Sequence, residues 1–194
     1  MKKTLLLAGV ASLFAVNAQA LELTPYVGAD YNLNFNNFAD DMGTPGKYHS
    51  GSIVAGSKVS PYAAVEVFGE LSKHATKRYD AYAKSHTEYG AYGADLFGIL
   101  PLGCYGEWEV LGTAGIGRYR IEQKLGPKGA WFADHGSLHA WGWRLGAGVQ
   151  YNITDNWGVR AMYRHIAFRN MKDHGEKTGI RGFDTVSVGV RYAF

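Results

Sequence analysis

Ten charged residues are spread along this 194-residue chain among glycines and small side chains: Asp30, Lys58, Glu66, Glu70, Asp95, Glu109, Arg144, Arg160, Arg164 and Arg191. Acids and bases in equal number could make a proton or ion pathway, or a satisfied polar core. Because an unpaired buried charge costs several kcal/mol, such a set must interlock whatever it does. His165, in "YRHIAFRN", could act as a general base, but the neighbouring position that a serine nucleophile would occupy is Ala167. No catalytic residue is assigned. Histidines 49, 74, 86, 135, 139 and 174 share no recognisable ligand spacing with acidic or cysteine partners, so neither metal nor cofactor is expected. "GTAGIG" imitates part of a dinucleotide fingerprint, yet no helix follows it. Cys104 is the only cysteine and is read as a free thiol. From Lys73 to His86 the chain holds Lys73, Lys77, Arg78 and Lys84 against Asp80, with Tyr79 and Tyr82 interleaved, a pattern suited to an anionic partner or to lipid phosphates.

The elements that position these residues alternate with a period of two, the signature of strands. Eight are expected: "LTPYVGADYNLN", "GSIVAGSKVS", "AAVEVFGELS", "YGAYGADLFGIL", "EWEVLGTAGIGRYR", "AWGWRLGAGVQY", "WGVRAMYRHIAF" and "DTVSVGVRYAF", each roughly 10 to 14 residues. In the sixth, Trp141, Trp143, Leu145, Ala147, Val149 and Tyr151 alternate with Gly142, Arg144, Gly146, Gly148 and Gln150. In the last, Val186, Val188, Val190, Tyr192 and Phe194 oppose Thr185, Ser187, Gly189, Arg191 and Ala193. Short connections ("VSPY", "LPLGCYG", "NITDN") alternate with four long ones. In an up-and-down antiparallel sheet, all the short turns then fall at one end and all the long loops at the other.

Residues 1–20 have the order of a secretory signal peptide: two lysines, a short apolar run, then Ala18-Gln19-Ala20. Residues 21–194 form one domain, and 18 basic against 17 acidic residues beyond the cut leave about +1, which argues against nucleic acid as a partner. The charged face suits a narrow, crowded lumen. The apolar face ends in aromatics, with Trp108, Tyr151 and Trp157 beside the short turns and Tyr31, Tyr92, Trp141 and Tyr163 toward the long loops. Two such girdles mark a bilayer's two interfaces. In hydrocarbon every backbone group must be paired, so the sheet must close, first strand on last. The fold expected is all-β, an eight-stranded antiparallel up-and-down transmembrane β-barrel.

"TPYVGADYN", "GSIVAGSKVSPYAAVEVFGEL", "LGTAGIGRY", "WRLGAGVQYNITDNWGVRAMYRHIAF" and "VSVGVRYAF" together resemble the small outer-membrane barrels that include the outer-membrane-protein-A barrel domain and the opacity proteins. The resemblance implies a bacterial outer-membrane location, with outer-membrane lipid and lipopolysaccharide as surroundings. It also implies that Val190, Tyr192 and Phe194 form a signal for the outer-membrane assembly machinery. It implies a non-enzymatic surface adhesin or envelope-structural protein whose long loops carry partner binding; the charge pattern itself, not the resemblance, marks Lys73, Lys77, Arg78, Tyr79, Tyr82 and Lys84 as the contacts for a host-surface or glycan ligand. A small porin-like channel is the alternative. An envelope-lipid-modifying enzyme comes third, since lipid A deacylases are also eight-stranded barrels with a histidine in a similar strand.

Overall fold

The computed structural model describes residues 23–35, 47–72, 75–80, 83–103, 107–127, 134–168, 172–173, 176–177 and 182–194. The segment expected to be a signal peptide, together with Lys73, Tyr82 and Cys104, lies outside the described residues. The strands are β1 (Thr24–Phe35), β2 (Lys47–Ser60), β3 (Ala63–Ser72), β4 (Ala75–Asp80), β5 (Ala83–Leu102), β6 (Trp108–Pro127), β7 (Asp134–Asn152), β8 (Trp157–Phe168), β9 (Lys172–Asp173), β10 (Glu176–Lys177) and β11 (Gly182–Ala193). Eight of them, β1, β2, β3, β5, β6, β7, β8 and β11, pair with their neighbours in antiparallel fashion. The sheet closes where β3 meets β5 and β1 meets β11.

Following one hydrogen-bonding row around the wall gives the stagger. Arg118 pairs with Tyr92, then the row passes through Gly69, Ile53, Ala29, Val190, Val159 and Tyr151 and returns to β6 at Trp108, ten residues before its start. Eight strands with a stagger of ten tilt by about 41° and give a backbone radius of about 8 Å, from strand spacings of about 4.8 Å and rises of about 3.3 Å. A tube that narrow is filled by its own side chains.

The strands on one side are longer than expected. β5, β6 and β7 run 20, 20 and 19 residues, and the stretch read as the second long loop is largely the β4/β5 hairpin, with Arg78 the register partner of Lys84. Only about 9–11 residues are needed to cross the bilayer, so these strands project well beyond the membrane at the long-loop end. The fourth long connection likewise contains a two-residue ladder, β9 with β10. At the other end, Gly103 takes φ 85 in the turn after β5, a conformation that glycine accepts at no steric cost.

Candidate functional site

Alternation delivers the two faces. Along β8 every second residue is buried, so Arg160, Met162, Arg164 and Ile166 enter the lumen while Val159, Ala161, Tyr163 and His165 face out. Of the ten charged residues singled out above, nine are buried in the lumen, and Lys58 is half-buried at its mouth.

The waist is a four-member ionic cluster. Arg160 donates to both oxygens of Glu66 at 3.0 Å, and its Nη2 lies 3.3 Å from Asp30 Oδ2. Arg191 donates to Asp30 at 2.9 Å and places Nε 3.6 Å from Glu66, whose Oε2 also accepts from the Tyr26 hydroxyl at 3.1 Å. Two arginines thus share two carboxylates, which is the arrangement a dehydrated charge set requires. Above it, Arg144 Nε lies 3.2 Å from Asp95 Oδ1 and its guanidinium stacks 3.8 Å from the centre of the Phe68 ring. Arg164 donates to Ser187 at 2.9 Å. Glu70 accepts from Ser50, which accepts from Asn34, which accepts from Thr185. Below the waist, Lys58 donates to Glu109 at 2.6 Å, and Gln150 and Asn152 donate to the same carboxylate. These groups line a vestibule of about 620 Å³ beside the Ile153–Asn156 turn. From sequence, inward-facing charges are expected to pair across the barrel, for instance Glu66 or Glu109 with Arg144 or Arg160. The structure brings Glu66 to Arg160, but takes Glu109 to Lys58 and Arg144 to Asp95.

Register explains these pairings. Asp95, Gly115 and Arg144 are direct partners on three successive strands, and so are Asp30, Gly189 and Arg160. In each triple the arginine reaches its carboxylate by crossing a glycine. A Cβ at Gly115 would collide with Asp95 Oδ1, and one at Gly189 with Asp30 Oδ1. Gly189→Val therefore lowers stability by about 1–3 kcal/mol through overpacking. Gly112→Ala, where nothing lies within 4 Å of the added carbon, changes it by less than about 0.5 kcal/mol. Denaturant unfolding of the refolded barrel checks both; equal losses at the two positions would contradict the crossing argument.

The outer end of the lumen is closed by rings that were not anticipated from sequence. Tyr48, Tyr89, Tyr119, Phe168 and Phe183, from five strands, form one cluster with Val54, Phe68 and Ile166. Ring centres lie 5.1 Å apart for Tyr119 and Phe168, 5.4 Å for Tyr48 and Tyr89, and 5.6 Å for Tyr89 and Phe183. Their signal in the sequence is parity: each continues the inward-facing series of its strand beyond the last charged or small residue.

On the outer wall, Tyr31, Tyr92, Trp108, Trp141, Trp157 and Tyr163 are exposed and Tyr151 half-exposed, while Val190 and Phe194 also face out. Tyr192 packs between Trp157 and Phe194, with ring centres 5.0 and 5.3 Å away. Near the long-loop end, the hydroxyl of Tyr163 donates to Asp184 at 2.8 Å and His165 Nδ1 lies 2.7 Å from the same carboxylate oxygen. Lys77, Arg78, Tyr79 and Lys84 fall on the backbone of the β4/β5 hairpin. Among the described residues no group of three or more metal-ligating side chains comes together.

Alongside this closed eight-stranded wall, with its charged lumen, aromatic girdles and hairpins at one end, the sequence matches the outer membrane protein beta-barrel domain over residues 5–194. The chain belongs to that family. It is an outer-membrane β-barrel protein. The 31 kDa outer-membrane immunogenic protein of Brucella melitensis is 33% identical over 97 residues, covering 44% of this chain and 38% of that relative. Among solved structures, neisserial surface protein A aligns over 89% of this chain and 97% of its own, with a TM-score of 0.60 and 17% identity. Ail, the attachment invasion locus protein of Yersinia pestis, aligns over 90% and 99%, with a TM-score of 0.58 and 14% identity. A second Ail structure holds the heparin analogue sucrose octasulfate; it aligns over 89% and 97%, with a TM-score of 0.55 and 14% identity.

Proposed function

We propose that this outer-membrane barrel is a non-enzymatic surface adhesin whose outer hairpins, the β4/β5 hairpin first, contact an anionic host glycan. The observation that carries the reading is the filled lumen: an aromatic layer above an ionic waist leaves the projecting hairpins as the surface that meets the environment. The β4/β5 hairpin concentrates cations, and its register sets Arg78 opposite Lys84. Like charges directly across a strand pair are unfavourable by themselves and favourable around a shared anion. The heparin analogue held by Ail, a barrel of the same fold, is consistent with such a ligand. Against catalysis, Ala167 stands where a nucleophile would be needed, so His165, although held by Asp184, has no nucleophile to serve as base.

The test replaces Lys73, Lys77, Arg78 and Lys84 by glutamine and measures binding of the refolded protein to immobilised heparin across salt concentrations. Parent binding falls steeply with salt, and the variant binds at least about tenfold more weakly, as expected for loss of Coulombic attraction. Salt-insensitive parent binding, or unchanged binding by the variant, removes this hairpin from the contact.

A further inference from the structure

The lipid-facing wall carries a feature that neither the lumen nor the loops account for. Arg118, Arg120 and His139 all face outward and are exposed, two on β6 and one on β7, with Arg120 and His139 register partners. Arg118 is flanked in its own row by Tyr92 and Trp141 of the outer girdle. Cations on the outside of a transmembrane barrel are tolerated at headgroup depth and not at the midplane, so the girdle and the arginines mark the same level. The anions at that level are lipid phosphates.

An apolar trough of about 910 Å³ begins at this place. It runs between two successive outward-facing rows, the one through Arg118 and the one through Ile116. Its floor is lowered by four small residues that fall together in those rows: Ala29 and Gly69 in the first, Ala55 and Ala94 in the second. Tyr92 and Trp141 stand at its outer end, Trp157 and Tyr192 at its inner end. Because the rows slope with the stagger, crossing from β6 to β11 covers about 24 Å along the wall and descends about 16 Å. That is slightly more than one leaflet of an apolar band about 25 Å tall. The trough therefore follows the course of an acyl chain descending from a headgroup held at Arg118.

We propose that this wall is a specific seat for one phosphorylated, multiply acylated glycolipid of the outer leaflet, lipid A, with a phosphate at Arg118, Arg120 and His139 and an acyl chain in the trough. Charge complementarity selects the phosphate, and the depressed apolar surface selects a chain over the bulk wall. Arg120 already has an interaction within the protein, and Glu88 and Glu122 are register partners two residues further along the β5/β6 ladder, so Arg118 is the decisive cation. The site uses none of the residues proposed for the glycan contact, which lie further out along β4 and β5.

The refolded full chain in a phosphate-free, uncharged detergent is titrated with bisphosphorylated lipid A, followed by tryptophan fluorescence, since Trp141 and Trp157 bound the trough. The parent saturates. Arg118→Gln weakens the apparent affinity at least tenfold and Arg118→Lys restores most of it, whereas Ala55→Phe, which fills the trough without touching a charge, weakens it severalfold. Dephosphorylated lipid A and phosphatidylglycerol both bind at least tenfold more weakly than lipid A. Parental affinity in both Arg118→Gln and Ala55→Phe overturns the site. Equal affinity for phosphatidylglycerol overturns the commitment to a glycolipid. If Arg118→Gln lowers the unfolding midpoint in lipid-free detergent, Ala55→Phe alone decides, and parental affinity in that variant overturns the proposal.

Discussion

Arg160→Met lowers the unfolding free energy by about 3–5 kcal/mol, because it leaves the carboxylate of Glu66 dehydrated with a tyrosine hydroxyl and one distant guanidinium nitrogen as company. In the parent, Arg160 holds both Glu66 oxygens and reaches Asp30, all within a lumen where Glu66 is 1% exposed. Asp30 keeps Arg191 in the variant, so the loss falls mainly on Glu66. Glu66→Gln combined with Arg160→Met removes the stranded charge and recovers at least half the loss; the shortfall from additivity measures the coupling. Lys58→Met at the vestibule costs less than about 1 kcal/mol, since that lysine side chain is 30% exposed and water screens its pair with Glu109. Urea unfolding of the refolded barrel, followed by tryptophan fluorescence, reads the parent, these three variants and Glu66→Gln alone, which completes the cycle. A cost below about 1 kcal/mol for Arg160→Met would mean that water reaches the waist, and the filled-lumen account would then fail.

The wall was legible in the sequence because two solvents read it. Between the girdles each outward residue meets hydrocarbon and each inward one a polar lumen, so Val186, Val188 and Val190 contrast with Ser187 and Arg191, and a period of two stands out. Beyond the girdles both faces meet water and the contrast ends. That is why Ala75–Asp80 and residues 83–88, 121–127 and 134–139, the outer ends of β5, β6 and β7, read as loop: their backbones pair, but the sequence there no longer alternates in polarity.

Composition of the lumen was legible for the same reason, whereas its partners were not. Which carboxylate faces which arginine depends on the stagger of the closed sheet, and the stagger is a property of eight registers together. The glycines carried the missing information in a form that only register decodes: Gly115 and Gly189 lie between the partners they allow to meet. The aromatic layer escaped for a subtler reason. Tyr119 and Phe183 sit at inward parity yet are large and apolar, so they resemble girdle residues until the chain's level along the axis is known.

Tyr119→Ala is expected to remove about 3–5 kcal/mol, the usual cost of deleting a buried aromatic side chain whose surroundings cannot collapse. Its side chain is fully buried, and the rings around it come from three other strands: Tyr89 on β5, Phe168 on β8 and Phe183 on β11. A rigid barrel wall cannot move inward to fill the space, so most of the cavity term persists. Tyr119→Phe keeps the ring and its edge-to-face contacts and costs less than about 1 kcal/mol, within the range of volume-conserving changes. Urea midpoints of the two variants separate the ring from its hydroxyl. The same proteins in planar bilayers test what the layer does. Neither the parent nor Tyr119→Ala passes steady current, because the Arg160, Glu66, Asp30 and Arg191 cluster still fills the waist nearer the short turns. Large, stable openings in the parent would overturn the closed lumen and favour a channel. Openings confined to Tyr119→Ala would instead make the aromatic layer the gate and the ionic waist permeable.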